Sequence, residues 1–135
     1  MAPKEIMAVL TENPILGHIT TYGGNPVSCA SGLVSLQVLQ EEINPDEVIR
    51  KGERIRRIFE KHPDVKEIRG EGLMLAAEFA DFGTLKAYID QYIRLGVITD
   101  WFLYCDNAMR ITPPLNIRDE EIDELEETIL SVRGL

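Results

Sequence analysis

Cysteine is scarce in this chain: only Cys29 and Cys105 occur among 135 residues. They lie far apart and form no Cys-x-x-Cys pair, which excludes a disulfide scaffold or a cysteine zinc site and agrees with a reduced, cytoplasmic compartment. Long apolar runs are missing too, none approaching the ~18 residues of a membrane span. No signal peptide is read at the N-terminus. Bases are short of acids, 14 against 23, for a formal charge of −9. A chain so charged repels phosphate backbones and anionic lipid headgroups, so neither nucleic acid nor a membrane is an expected partner. The two histidines, His18 and His62, have no companions at ligand spacing, and no metal site is expected. Nothing repetitive, low in complexity or linker-like divides the chain.

What is present is ordinary globular material, 44% apolar and 27% charged. A chain of this length buries roughly two-thirds of its unfolded surface and can form one core. Lys4 to Leu10 reads as a short helix, with Ile6, Val9 and Leu10 on one side, stopping near Asn13-Pro14 because the residue before proline is pushed out of the helical region. Asn25 then stands at an N-cap and Pro26 at the first helical position, predicting a helix from Pro26 to about Gln40. Cys29, Ala30, Leu33, Val34, Leu36, Val38 and Leu39 cover most of its circumference, so it is expected to be packed on nearly all sides, with Cys29 a small core residue.

Asn44-Pro45 repeats the cap signal, and Val48, Ile55 and Phe59 give the next helix an apolar stripe ending at His62-Pro63. The period then shifts toward two. "VKEIRG" and "GLMLAAEF" read as strands joined at Gly70-Glu71-Gly72, where glycines supply the positive φ of a tight reversal. A helix over about Thr84 to Leu95 turns Leu85, Ile89 and Tyr92 inward and stops at Gly96. "VITDWFLY" and "AMRITP" read as two more strands separated by Cys105-Asp106-Asn107. A last helix, about Asp119 to Val132, spaces Ile122, Leu125, Ile129 and Val132 along one face. The fold class is α/β, an α+β two-layer arrangement: a small sheet of three to four mainly antiparallel strands with helices packed on it, preceded by a long connecting helix.

Two stretches carry chemistry. In "TTYGGNP", residues 20–26, unpaired amides at a helix start favour an anion, glycines let it approach the backbone, and Thr20 and Thr21 add hydroxyl donors. Asn25 capping the helix, the glycines turning and the threonines merely solvated is the competing reading. The stretch is no Walker A loop, since it lacks the Gly-Lys-Ser/Thr ending. In "MRITPPL", Arg110 stands between apolar neighbours ahead of a double proline that stiffens the backbone, a setting that holds a guanidinium for a carboxylate, although an arginine on a strand is most often a surface charge. Arg69 and the glycines after it read as strand and turn architecture. Trp101, Phe102 and Tyr104 read as core or as a wall beside a substrate entrance.

"TTYGGNPVSCASGLVSLQVL", "IRGEGLMLAAEF" and "RITPPLNIRDEEID", in this order and at these separations, resemble the C-terminal part of the class III pyridoxal-phosphate aminotransferases, the group of the ornithine, acetylornithine and 4-aminobutyrate transaminases. The resemblance covers nearly the whole chain. It implies a fold like the C-terminal domain of fold-type I pyridoxal-phosphate enzymes. Residues 1–43 would be the end of a large-domain segment with a phosphate-binding loop and the connecting helix, and residues 44–135 the small domain. By the same resemblance, Thr21, helped by Thr20, would bind the cofactor phosphate of the neighbouring subunit in a homodimer. Arg110 would bind a substrate carboxylate or pair with an active-site glutamate upstream of this chain. The parent would move an amino group from an amino acid or amine to a 2-oxo acid.

No catalytic residue is assigned in this chain. The lysine that holds the cofactor covalently would lie upstream, Lys4 is not that lysine, and the chain alone is expected to be inactive. A stand-alone α+β ligand-binding module and a degenerate paralogue that joins the full enzyme's dimer are the alternatives. One departure from the family pattern is Arg118, where a serine or threonine often caps the last helix, so that Asp119 is expected to take over and shift the helix by one residue.

Overall fold

The computed structural model describes residues 3–9 and 20–134, and it divides into two units, Met1–Glu42 and Ile43–Leu135. Leu10, Asn13-Pro14 and His18 lie outside the described residues. In the first unit, α1 spans Lys4–Ala8 and α2 spans Pro26–Glu42. Asn25 caps α2 as its sequence predicts, accepting from the amides of Val27 at 3.0 Å and Ser28 at 3.2 Å. The expectation that α2 is packed on nearly all sides does not hold: each of its residues is exposed, Cys29 included. The cause is geometric. A helix apolar around its whole circumference needs neighbours on every side, and the only other described helix of this unit is the five-residue α1.

The second unit holds the core. α3 (Pro45–Glu60) starts at Asn44, whose side chain accepts from Asp46 N–H at 2.9 Å. β1 (Glu67–Glu71), β2 (Met74–Glu78), β3 (Asp100–Phe102) and β4 (Cys105–Ile111) form one antiparallel sheet in the order β1-β2-β4-β3. α4 (Phe82–Arg94) separates the two hairpins, and α5 (Asp119–Ser131) closes the unit. α3 packs on β1 and β2, α4 on β4, and α5 against α3. Alternation along β2 and β4 turns Leu75, Ala77, Met109 and Ile111 toward Ile55, Phe59, Leu85, Tyr88 and Ile122, giving two layers around one core.

Three details set this geometry. A Cβ on Gly52 would lie 2.0 Å from the Gly72 carbonyl oxygen, so the absence of a side chain lets α3 press against the β1–β2 turn. Arg56 donates to the carbonyls of Ile68 at 2.9 Å and Gly70 at 2.8 Å, which covers the free edge of β1. Finally, His62 is buried against the rings of Phe79 and Tyr88. Burial holds its pKa below the ordinary 6.5, with the Asp64 carboxylate acting in the opposite sense.

Several boundaries depart from the sequence reading, the first hairpin among them: Gly70 and Glu71 pair with Leu75 and Met74 inside β1, so the turn falls at Gly72-Leu73 rather than Gly70-Glu71-Gly72. Cys105-Asp106-Asn107 does not separate the last two strands: the turn is at Leu103-Tyr104, and these residues open β4. Asn107 is held there from two sides, its carbonyl accepting from Phe79 N–H at 2.9 Å and its side chain donating to the Phe79 carbonyl at 3.1 Å. The last helix is not shifted by Arg118 either. Arg118 keeps the cap position because the Glu121 carboxylate accepts from its backbone N–H at 2.8 Å. That is the reciprocal half of a capping box, and it works for any residue with an N–H.

Candidate functional site

Thr20 and Thr21 belong to the first unit and Arg110 to the second. Around the threonines the backbone turns tightly: Gly23 N–H donates to the Thr20 carbonyl at 3.3 Å, and Asn25 N–H to the Tyr22 carbonyl at 3.1 Å. A Cβ on Gly23 would sit 2.4 Å from Thr20 Oγ1 and would turn that hydroxyl aside, while Gly24, at φ +75°, holds a backbone conformation that favours glycine. The competing readings of this loop are partly reconciled. Asn25 does cap the helix, and it occupies the Val27 and Ser28 amides that an anion would otherwise use. Among the described residues, no partner is recorded for the Thr21 hydroxyl or Thr21 N–H, and both threonines are exposed. Residues 20–40 contain no charged side chain, whereas the chain as a whole carries −9. Hydroxyls and amides on a neutral, glycine-shaped turn suit an anion that the rest of the surface repels.

Arg110 lies on the sheet face opposite the core. Register places Arg69, Ala76, Arg110 and Asp100 directly across the four strands, so these side chains share one face. Arg69 and Arg110 are thus separated by the small Ala76, and by two strand spacings of about 5 Å each. Arg110 is an exposed charge held in a bidentate ion pair: its Nε donates to Asp100 Oδ1 at 2.8 Å and its Nη2 to Asp100 Oδ2. Each side chain of the pair stays about half exposed, at 46% and 47%. Thr99 Oγ1 donates to the Arg110 carbonyl at 2.7 Å, pinning the backbone just ahead of Pro113-Pro114. Arg69 is engaged separately, with the Glu78 and Glu67 carboxylates and with Cys105 Sγ at 3.7 Å, and Glu78 above all holds its pKa above the ordinary guanidinium value.

Two clefts meet at Arg110. One, of about 430 Å³, lies among Arg69, Ala76, Phe102, Tyr104, Cys105 and Arg110. The other, of about 640 Å³, runs past Asp100, Thr112 and Pro113 toward α5. The aromatic residues of this stretch are not core: Tyr104, in the smaller cleft, is 97% exposed, and Trp101, which lines neither cleft, is exposed and edge-on to Phe82. Asp100 was missed by reading the sequence, because nothing local in "VITDWF" marks it as the partner of a residue ten positions on. Among the described residues no cluster of His, Cys, Asp and Glu could hold a metal ion. No described helix is long and apolar enough to cross a membrane.

Comparison with known proteins agrees with this architecture. The ornithine aminotransferase of Toxoplasma gondii, whose structure is described with partial occupancy of PLP at its active site, is 33% identical over 97% of this chain and 31% of its own, with a TM-score of 0.71. Ornithine delta-aminotransferase of Plasmodium falciparum is 32% identical over 97% of this chain and 34% of its own, with a TM-score of 0.72. For acetylornithine aminotransferase of Elizabethkingia anophelis the identity is 27%, over 85% of this chain and 32% of the other, with a TM-score of 0.67. This chain therefore spans about a third of the length of each of the three. The family described as Aminotransferase class-III matches residues 1–132, and the chain belongs to that family.

Proposed function

We propose that this chain forms the C-terminal portion of a pyridoxal-phosphate-dependent transaminase that moves an amino group from an amino acid or amine to a 2-oxo acid. The observation that carries this reading is the family match over residues 1–132 in a chain that spans 31% of the Toxoplasma enzyme. In it, residues 1–43 end the large-domain part and residues 44–135 make the small domain. When bound, the cofactor supplies an electron sink for bond changes at the amino-bearing carbon.

The residues of this chain position rather than react. Thr21, through its hydroxyl and N–H, and Thr20 hold the cofactor phosphate of a neighbouring copy, which the neutral donor-rich turn suits. α2, apolar on every side and exposed throughout, makes part of the homodimer interface. Arg110 fixes a substrate carboxylate on the open sheet face, between clefts wide enough for a small acid. The parent is read as cytoplasmic.

The test is a paired assay. The chain by itself, given pyridoxal phosphate, an amino-donor panel and 2-oxoglutarate, is expected to show no turnover. The polypeptide that also carries the upstream lysine segment is expected to transaminate. Turnover by the isolated chain would refute the proposal. In the active polypeptide, Thr21→Ala is expected to weaken cofactor binding by about tenfold, the worth of one hydrogen bond to a charged phosphate. Unchanged cofactor affinity would remove Thr21 from the site.

A further inference from the structure

Arginine presents two bidentate edges to carboxylates: a side-on edge, Nε with one terminal nitrogen, and an end-on edge formed by the two terminal nitrogens. In this chain the side-on edge of Arg110 is already taken, Nε donating to Asp100 Oδ1 at 2.8 Å and Nη2 to Asp100 Oδ2. We propose that Asp100 is a positioning residue that holds Arg110 by its side-on edge and presents the end-on edge to a substrate carboxylate. This rests on the reading of Arg110 as the substrate-carboxylate group.

Several features make Asp100 a fixed support rather than a passing contact. It lies directly opposite Arg110 in the β3–β4 register, so its short side chain reaches the guanidinium from the same face. The neighbouring Thr99 hydroxyl holds the Arg110 carbonyl at 2.7 Å, so the same strand grips Arg110 at both backbone and side chain. Arg69, the other cation on this face, is neutralised by Glu78 and Glu67 and does not draw Asp100 away. Five N–H donors are available on a guanidinium, and two of them satisfy Asp100. Those that remain are both hydrogens of Nη1 and the second of Nη2, and the Nη1 hydrogen that faces Nη2 can join that second one to clasp an incoming carboxylate in the same plane. A long arginine side chain held at its root in this way loses less freedom when the substrate arrives.

The test uses the full 135-residue chain, labelled with ¹⁵N, and glutarate as a non-reacting probe, observed at the arginine Nε–Hε resonances. The Arg110 Nε–Hε signal is expected to be protected from exchange before glutarate is added and to persist at saturation. Asp100→Asn is expected to lose that protection and to weaken glutarate by about tenfold, with Asp100→Glu recovering part of both and the backbone amide spectrum unchanged. Collapse of the Nε–Hε signal as glutarate saturates would show that Asp100 is displaced, and would overturn the proposal. Equal glutarate affinity in wild type and Asp100→Asn would overturn it as well, as would an absence of glutarate binding by the wild type. Arg110→Met separates the two levels of the argument. If Arg110→Met binds glutarate as well as wild type, the substrate role of Arg110 itself fails. If that variant loses binding while Asp100→Asn keeps it, only the role of Asp100 fails.

Discussion

α2 and α3 are helices of nearly equal length, 17 and 16 residues, and they meet opposite fates. Most apolar residues of α3 fall on one stripe, so Ile55, Ile58 and Phe59 enter a core while Arg50 and Arg54 face α5 and Arg56 reaches β1. α2 is the more apolar of the two, yet Leu33, Val34 and Leu36 are all more than half exposed. Apolar content therefore does not by itself bury a helix; the angular distribution of that content decides whether one neighbouring layer can cover it. In α3 a two-layer domain is sufficient. The surface of α2 calls for neighbours all round, which agrees with its proposed place in a subunit interface.

The comparison is sharpest at the glycines. Gly52→Ala in α3 is expected to lower stability by about 3 kcal/mol, because the new methyl overlaps the Gly72 carbonyl and must push helix and hairpin apart. The same change at Gly32 in α2 meets nothing within 4 Å, and is expected to raise helix stability by about 0.5–1 kcal/mol through propensity alone. Denaturant unfolding and helical ellipticity would show the two signs. A loss of stability at Gly32 comparable to that at Gly52 would break the contrast, since it would mean that α2 is closely packed within a single chain.

Association comes next in expected size. The chain is expected to self-associate with rising concentration through α2, and Leu36→Glu to shift sedimentation toward monomer while leaving the midpoint of the second unit's unfolding in place. A cap tests the opposite side of the comparison. Asn44→Ala should cost about 1 kcal/mol, because α3 is part of a cooperative core.

Acid should act on the second unit through His62. The pKa of His62 is lowered by burial, so the unfolded state takes up the proton more readily than the folded state. Stability is thus expected to be fully present above the unfolded value near 6.5 and to fall as pH drops through it toward the folded value, with Asp64 and Arg133 as the charged neighbours. His62→Gln should flatten that part of the profile. The smallest effect is expected at the α3–α5 surface, where Arg50 bridges Glu47 at 2.7 Å and Asp119 at 2.8 Å. Solvent screens this pair, so Arg50→Ala should change a thermal melt only slightly.

Much of the fold was legible wherever a local rule suffices. Asn25 and Asn44 announce two helix starts, Gly96 takes the positive φ that ends α4, and the three-four spacing of Ile122 and Ile129 marks the buried side of α5. Arg110 was legible through its apolar neighbours and the prolines that follow, together with the family resemblance. Asp100 was not, because its partnership depends on register. The last pair before the turn is Phe102 with Cys105, and regular continuation from it would set Val97 opposite Arg110. A bulge between Trp101 and Phe102 shifts the ladder and brings Asp100 there instead.

The sequence by itself determined which segments are helices and strands and where most of them begin, because caps, turns and periodicity act within a few residues. It also determined family membership, through three separated motifs. Tertiary structure alone decided which apolar surfaces are covered, how closely α3 approaches Gly72, and which carboxylate holds Arg110. Each of these depends on atoms far apart in the chain, whose meeting is set by packing and strand register rather than by local preference.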